Sequence, residues 1–189
     1  MSASTPLTTV ENLKAYLHLG GEEDDAVLAQ LIAAASAAIE RYCGRRFGPG
    51  RYTEYHDGRG SVWLVLDERP VQEVHDLRDD PARQFGAASV IPPADYALYA
   101  EDGIVRRLQG VFHAGHRNVR IDYSAGYDVI PADLGQAGII LAAAWFHAGR
   151  QGSDGLRAEA LGDYRAEYLH LPLPAAVTRL LEPYRNWQL

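Results

Sequence analysis

The stretch VLAQLIAAASAAIERYCGRRF, residues 27–47, predicts the best-defined element of this chain. Its apolar residues recur every three or four positions, which is the spacing of one face of an α-helix. They are Leu28, Leu31, Ile32, Ala35, Ile39 and Tyr42. The opposite face carries Gln30, Ser36, Glu40 and Arg41. The pattern predicts a long helix that packs through one face, and the stretch contains no group of residues that would do chemistry.

Sequence signals also predict where this helix begins and where a shorter helix precedes it. The acidic run EEDD, residues 22–25, suits the positive end of a helix dipole, with one of its aspartates as the cap. The shorter helix begins near Thr8 or Thr9, because Glu11 follows Thr8 at the spacing of a capping box. The glycine pair at 20–21 is expected to end it.

A further apolar helix is predicted from AGIILAAAWFHA, residues 137–148, after Pro131, which suits the first turn of a helix. Apolar residues lie on nearly all of its sides: Ile139, Ile140, Leu141, Trp145 and Phe146. A helix that is apolar all round must be covered on more than one face. It therefore lies either at the centre of the fold or against another chain. The second alternative gives a candidate subunit interface, formed by Ile139, Ile140, Trp145 and Phe146.

Between the helical segments, residues 51–127 show the pattern of strands and turns. SVWLVLDERPV, residues 61–71, predicts a strand that a proline closes. DYALYAEDGIVRRL, residues 95–108, predicts a hairpin with Asp102-Gly103 at its tip, because this pair accepts positive φ. NVRIDYSAGY, residues 118–127, predicts another strand, which ends at Gly126.

The order of these elements predicts the fold class. ALGDYRAEYLHLPLP, residues 160–174, is expected to be a short strand or extended segment, and a last helix follows Pro174. Helices, then strands, then helices again predict an α+β, mainly α protein, with a helical domain of about four helices and an inserted antiparallel β-rich lobe. The predicted boundaries are residues 1–50 and 128–189 for the helical domain and 51–127 for the insertion.

The composition excludes several classes of function. The net charge of −7, with 18 Lys and Arg spread along the chain, argues against a protein that grips DNA through its whole surface. The single cysteine, Cys43, excludes an internal disulfide framework, and it is expected to be buried on the apolar side of the long helix. The N-terminus lacks a secretory signal, and the longest apolar run is too short for a bilayer. We therefore expect no membrane and synthesis in a cytoplasm.

The sequence shows no P-loop, no GxSxG, no HExxH and no cysteine pair, so we predict no enzyme, no catalytic residue, no metal and no cofactor. His113 and His116 in HAGH form a possible metal pair, but no third ligand follows at an evident spacing. Arg45 and Arg46 either bind a phosphate or stabilise the negative end of the preceding helix, and the second role is favoured.

The order of the motifs resembles the head–tail connector (adaptor, or head completion) proteins of tailed double-stranded-DNA bacteriophages. Residues 8–47 resemble their opening, with a short LKxxL helix, a few acidic residues and a long LxxLIxxAxxxIExYxGRxF helix. A PVxEVxxL strand, NVRIDYSAGY, IPADLGQAGIILAAAWF and the terminal LPAAVTRLLEPYR then follow in the order of the longer members. The resemblance runs from about Thr8 to Arg185, and the joint order of the motifs carries it.

The resemblance implies a structural protein of the virion neck, assembled in the host cytoplasm as a ring, a dodecamer, below the portal. Such a ring extends the DNA channel and provides a docking platform for the next neck (stopper) or tail-completion protein. Its implied partners are itself, the portal protein, that next protein, and passing double-stranded DNA without specific binding. The acidic balance suits this last role, because like charges disfavour phosphate contact.

In this family the C-terminal segment commonly engages the portal. Carried onto this chain, that gives the portal-binding candidates Val177, Leu180, Tyr184, Arg185 and Trp187. Tyr, Arg and Trp dominate the energetics of many interfaces. The alternative is that Tyr184 and Trp187 simply close the core of the subunit.

Two other functions remain open from the sequence. One is a generic homo-oligomeric interaction module without a portal partner. The other is a small hydrolase or nucleic-acid enzyme, which predicts a cleft that gathers His113, His116 and the acids of the LRDDPAR loop, residues 77–83.

Overall fold

The computed structural model describes residues 4–151 and 173–186. The chain forms two compact units, one from Met1–Arg46 with Val129–Leu189 and the other from Phe47–Asp128. The first unit is helical and the second is built of strands, which confirms the predicted α+β class. The segment predicted as a short strand, residues 160–174, lies outside the described residues except for its last two.

The described part of the helical unit contains α1 (Val10–Leu17), α2 (Asp25–Cys43), α3 (Ala132–Gln151) and α4 (Ala175–Leu181). α1 begins at the second of the two predicted threonines, because the Thr9 hydroxyl accepts a hydrogen bond from the Asn12 N–H at 3.2 Å, so the N-cap is not the Thr8 of the expected Thr8–Glu11 capping box. It ends before the glycine pair, since His18 itself adopts the left-handed conformation with φ 54°. Asp24 is the N-cap residue of α2, and Gly44, with φ 67°, ends that helix.

α2 buries one face, made of Leu28, Ile32, Ala35, Ile39 and Cys43, each at most 3% exposed. The prediction that Ser36 lies on the opposite face is wrong, because it is 1% exposed. Its hydroxyl accepts from the Leu7 N–H at 3.0 Å and donates to the Ile32 carbonyl at 2.8 Å. These bonds satisfy the buried hydroxyl. By length and composition alone α2 could cross a membrane, but its buried face belongs to the core of the helical unit.

The β unit contains six strands: β1 (Gly50–Gly58), β2 (Trp63–Val65), β3 (Val71–Asp79), β4 (Tyr96–Tyr99), β5 (Ile104–Arg107) and β6 (Gly115–Ala125). They form two antiparallel sheets of three strands. Sheet one has the order β1-β6-β3, and sheet two has the order β2-β5-β4. The β6 strand and the hairpin of β4 and β5 confirm two of the sequence predictions, and Gly103 in the hairpin turn has φ 66°.

The two sheets share one hydrophobic core. Leu64 of β2 and Val105 of β5 belong to the same buried cluster as Leu77 of β3 and Ile121 and Tyr123 of β6. Successive residues of a strand point to opposite faces. Each sheet therefore has one inward face, which lines this core, and one outward face.

Two details of the strands differ from the prediction. SVWLVLDERPV does not form one continuous strand: its strand β2 covers only Trp63–Val65 and pairs in sheet two, whereas Val71, directly after Pro70, begins β3 of sheet one. β1 was not predicted as a separate strand. Its half-buried positions are Gly50, Tyr52, Glu54 and His56, so the alternation of apolar and polar residues that marks a strand is absent.

Candidate assembly surfaces

The four candidate interface residues on α3 differ in how deeply they are buried. Trp145 and Phe146 are buried, each 7% exposed. Ile139 and Ile140 are half-buried. For the two aromatic residues, this placement favours the alternative of packing within the subunit. Ile139 and Ile140 remain candidates for a contact between subunits.

The C-terminal candidates begin on α4, where Val177 is fully buried and Leu180 is half-buried. α4 is followed by a short 3-10 turn, Glu182–Tyr184. The Tyr184 hydroxyl lies 2.7 and 2.8 Å from the two carboxylate oxygens of Asp133, in the first turn of α3. Tyr184 therefore has a partner within the subunit, which favours its role in closing the helical unit.

Residues 185 and 186 fix the end of the described chain against α2. The Arg185 guanidinium lies 5.1 Å from the centre of the Tyr42 ring. The Asn186 backbone N–H donates to the Cys43 carbonyl at 2.8 Å, and its side-chain amide donates to the Gly44 carbonyl at 3.2 Å. Asn186 thus satisfies carbonyls that a helix end leaves without partners. Trp187 lies outside the described residues.

The two histidines of HAGH do not meet at one centre. His113 pairs with Asp79 of the LRDDPAR loop, at 3.0 Å from Nδ1 to Oδ2, and Asp79 also accepts from the Asn118 amide. His116 instead pairs with Asp57 at 3.0 Å. The Arg117 backbone N–H, and next the His116 ring, hold the pKa of Asp57 below its usual range. Residues 4–151 and 173–186 contain no cluster of three or more His, Cys, Asp or Glu that could hold a metal ion.

Cys43 is 1% exposed, which confirms the prediction of a buried thiol. Burial, against the opposing charge of Arg45, raises the pKa of this thiol to about 11. The thiolate is the reactive form of cysteine, so the side chain is inert at neutral pH. Of the neighbouring arginines, Arg45 is buried and Arg46 is exposed.

The outward face of sheet two is apolar. It consists of Trp63 and Val65 of β2, Ala97 and Tyr99 of β4, and Ile104 and Arg106 of β5, and we call it the apolar face. Trp63 is 51% exposed, Val65 52% and Tyr99 43%. The Trp63 and Tyr99 ring centres are 6.1 Å apart, and the Arg106 guanidinium lies 5.4 Å from the Trp63 ring. Antiparallel sheets that face water normally carry polar residues on that side.

Sequence reasoning missed the apolar face, although a signal for it was present. In the run WLVL, residues 63–66, both alternating sets of side chains are apolar. A half-buried strand needs only one apolar set. The missing information was the register, which places Trp63 opposite Arg106 and both Val65 and Tyr99 opposite Ile104.

These features describe an α+β protein whose candidate functional sites are surfaces that pack, either within the subunit or against another chain. The family described as "Head completion protein" matches residues 6–187, so the chain belongs to the head completion protein family. This match confirms the resemblance drawn from the order of the motifs. Among curated proteins, none matches the chain.

Solved structures of similar fold come from gene transfer agent (GTA) particles. A chain in the neck of an empty particle, computed with C6 symmetry, is 23% identical, with a TM-score of 0.61, and the match covers 100% of this chain and 94% of that one. A chain of the native GTA virion is 22% identical, with a TM-score of 0.61 and coverages of 100% and 95%. A third, from the neck of a native particle computed with C12 symmetry, is 21% identical, with a TM-score of 0.61 and coverages of 100% and 94%. Identities this low establish a shared fold.

Proposed function

We propose that this protein is a structural component of the virion neck, where copies of it form a ring below the portal. The family match across residues 6–187 is the observation that carries the proposal. The similar folds found in particle necks computed with C6 and C12 symmetry support a ring, because such symmetry requires repeated copies around one axis. The ring extends the DNA channel and gives the next neck or tail protein a surface to dock on.

The proposed role needs no catalytic step. The histidines of HAGH bind separate carboxylates, His113 that of Asp79 and His116 that of Asp57. Asp79 also accepts hydrogen bonds from the Asn118 amide and the His113 backbone N–H, so it positions the loop that contains His113. A hydrolase would need these groups to converge on a substrate instead.

In the proposed neck the C-terminal residues bind the portal. The chain is held at the end of α2 as far as Asn186, the residue before Trp187 in the sequence. Tyr184 and Arg185 support the segment through Asp133 and Tyr42. Trp187 is therefore the strongest candidate for direct portal contact. The net charge of −7 supports free passage of DNA through the ring, since it disfavours phosphate binding.

The experiment removes the gene from the phage or phage-like particle that encodes it and examines the particles by electron microscopy. We expect DNA-filled heads without tails, and tailed particles again when the full chain is supplied from a plasmid. The variant Trp187→Ala is expected to restore few tailed particles and to bind less portal protein in pull-downs. Its neighbour Gln188→Ala is the matched control.

Two results would contradict the proposal. Tailed particles in normal numbers without the gene would remove the neck role. Equal portal binding by the wild-type chain and Trp187→Ala would leave the neck role standing and reject Trp187 as the portal contact.

A further inference from the structure

We propose that the apolar face is the surface through which one copy of this chain binds the next, an inference that rests on the ring of the proposed function. Three large side chains of this face, Trp63, Val65 and Tyr99, are each more than two-fifths exposed. A contiguous exposed apolar patch marks an interaction site, because covering it removes apolar surface from water. Trp63, Tyr99 and Arg106 also belong to the residue types that most often dominate binding.

The charges around the apolar face favour a second copy of the chain as its occupant. Glu101 and Asp102 lie exposed in the turn between β4 and β5, beside the row formed by Val65, Ile104 and Tyr99. Arg106 lies in the next row, about 7 Å farther from the turn by strand geometry. Each copy therefore carries acidic groups at one end of the face and a cation toward the other.

Within residues 4–151 and 173–186, these three charges have no ionic partner. Across the described residues, no salt bridge involves Glu101, Asp102 or Arg106, and Arg106 stacks on the Trp63 ring. A second copy that lays its acidic turn, and not its own apolar face, on this face places Glu101 and Asp102 beside Arg106. The contact then joins opposite charges around an apolar centre, which is the arrangement of specific interfaces.

The separation of acidic and basic groups on each copy suits assembly into a ring. When the acidic turn of one copy lies on the apolar face of the next, two different surfaces meet, and such heterologous contacts close into rings when the rotation permits, whereas face against face would give a two-fold dimer. Rotational symmetry places the β unit of every copy at the same height, so β units are natural neighbours. Copies with a net charge of −7 repel one another at long range. Arg106, as the one cation among the six residues of the face, supplies a local attraction that offsets this repulsion.

The test reverses the charges at each end of the face and measures association of the full chain by sedimentation velocity. Arg106→Glu places like charges together, and so does the double variant Glu101→Arg with Asp102→Arg. Each is expected to associate at least tenfold more weakly than the wild-type chain. An equimolar mixture of the two is expected to associate again, because every contact in an alternating ring then pairs opposite charges. A single chain with all three substitutions should also recover.

The matched control is the double variant Glu22→Arg with Glu23→Arg. It makes the same change of charge at exposed residues of the helical unit, and it is expected to associate as the wild-type chain does. All the substituted residues are exposed, so the variants should fold, which thermal unfolding followed by circular dichroism verifies.

The possible outcomes separate this inference from the proposed function. If the wild-type chain forms rings and the charge variants form them equally well, or if the mixture does not recover, the apolar face is not the contact and the ring stands. If the variants form normal rings but no longer bind the next neck protein, that protein is the occupant and the inference is overturned. A wild-type chain that stays monomeric even with the portal present overturns both the ring and the contact.

Discussion

The two sheets of the β unit share one core but present opposite outward faces. On sheet one, Arg51 forms two hydrogen bonds with Asp122, at 2.8 and 2.7 Å, and Arg78 pairs with Asp76 at 2.6 Å. On sheet two the outward side chains are apolar except for Arg106. On sheet one these charged residues pair with one another, whereas on sheet two Trp63, Val65 and Tyr99 are each more than two-fifths exposed. The difference shows what to look for on an outward face. Charged residues that pair with one another suit a surface that faces water, and exposed apolar side chains suit a surface that binds another protein.

The largest expected effect comes from the inward faces, where the two sheets should behave alike. Ile121→Ala in β6 removes a fully buried side chain and is expected to lower the free energy of unfolding by about 3 kcal/mol. Val105→Ala in β5 removes two buried methyl groups and is expected to cost about 2 kcal/mol. Urea unfolding measures both. A negligible loss for Val105→Ala would mean that sheet two does not depend on the common core.

A smaller loss is expected when only the polar end of an inward residue is removed. The buried Tyr123 hydroxyl donates to the Glu54 carboxylate and accepts from the Glu68 N–H at 3.0 Å. Burial, and next the hydrogen bond to Glu54, raise the pKa of Tyr123, so the hydroxyl stays protonated. Tyr123→Phe leaves both partners without this bond and is expected to cost about 1–2 kcal/mol. Tyr99→Phe on the exposed side is the control, and an equal loss there would contradict the explanation.

On the apolar face, a substitution should affect association between copies more than it affects the stability of one subunit. Trp63→Ser is expected to weaken association of the full chain about tenfold, or about 1.4 kcal/mol, because it removes the largest ring of the face. Its free energy of unfolding as a monomer is expected to fall by about 1 kcal/mol, as in the Tyr16→Ser variant, since each ring is about half exposed. Tyr16→Ser, at a ring that is 49% exposed on α1, is the matched control. If both variants weaken association equally, the effect belongs to exposed aromatic rings in general and not to the apolar face.

The smallest effect is expected on the outward face of sheet one and depends on pH. The hydrogen bond from Arg51, against an opposing contribution from burial, lowers the pKa of Asp122. A lowered folded-state pKa adds stability above the unfolded-state value of about 3.9 and loses it as the pH falls through the folded-state value. Arg51→Ala should therefore be slightly less stable than the wild-type chain at neutral pH, and the difference should shrink below about pH 4. Thermal unfolding across this range measures it, and a difference that persists in acid would mean that the Arg51–Asp122 pair is not its cause.

Much of the fold could be predicted from local signals. The period of residues 27–47 predicted α2, the threonine pair at 8–9 predicted the start of α1, and Asp102-Gly103 predicted the hairpin turn. The failures have physical causes. β1 directs Glu54 and His56 toward the interior, where they bind each other at 2.7 Å, so its pattern does not indicate a strand. Ser36 is buried because Leu7, 29 residues away, supplies its partner.

The candidate surfaces could be predicted less well, because they depend on which elements meet. The sequence shows that α3 is apolar on all sides but not which sides its own subunit covers. The structure buries Trp145 and Phe146, and it gives Tyr184 a partner in Asp133. The apolar face depends on the register of three strands, which no local pattern contains. The family, in contrast, was predictable because the order of packing motifs along the chain is itself informative.

The most direct test of the ring and its contact is an electron-microscopy map of the assembled neck at side-chain resolution. We expect a closed ring of this chain below the portal, with Trp63 and Tyr99 buried against the neighbouring copy and its acidic turn beside Arg106. A ring in which these two side chains face solvent or a different protein would contradict the proposed contact. A neck that contains no ring of this chain would contradict the proposed function itself.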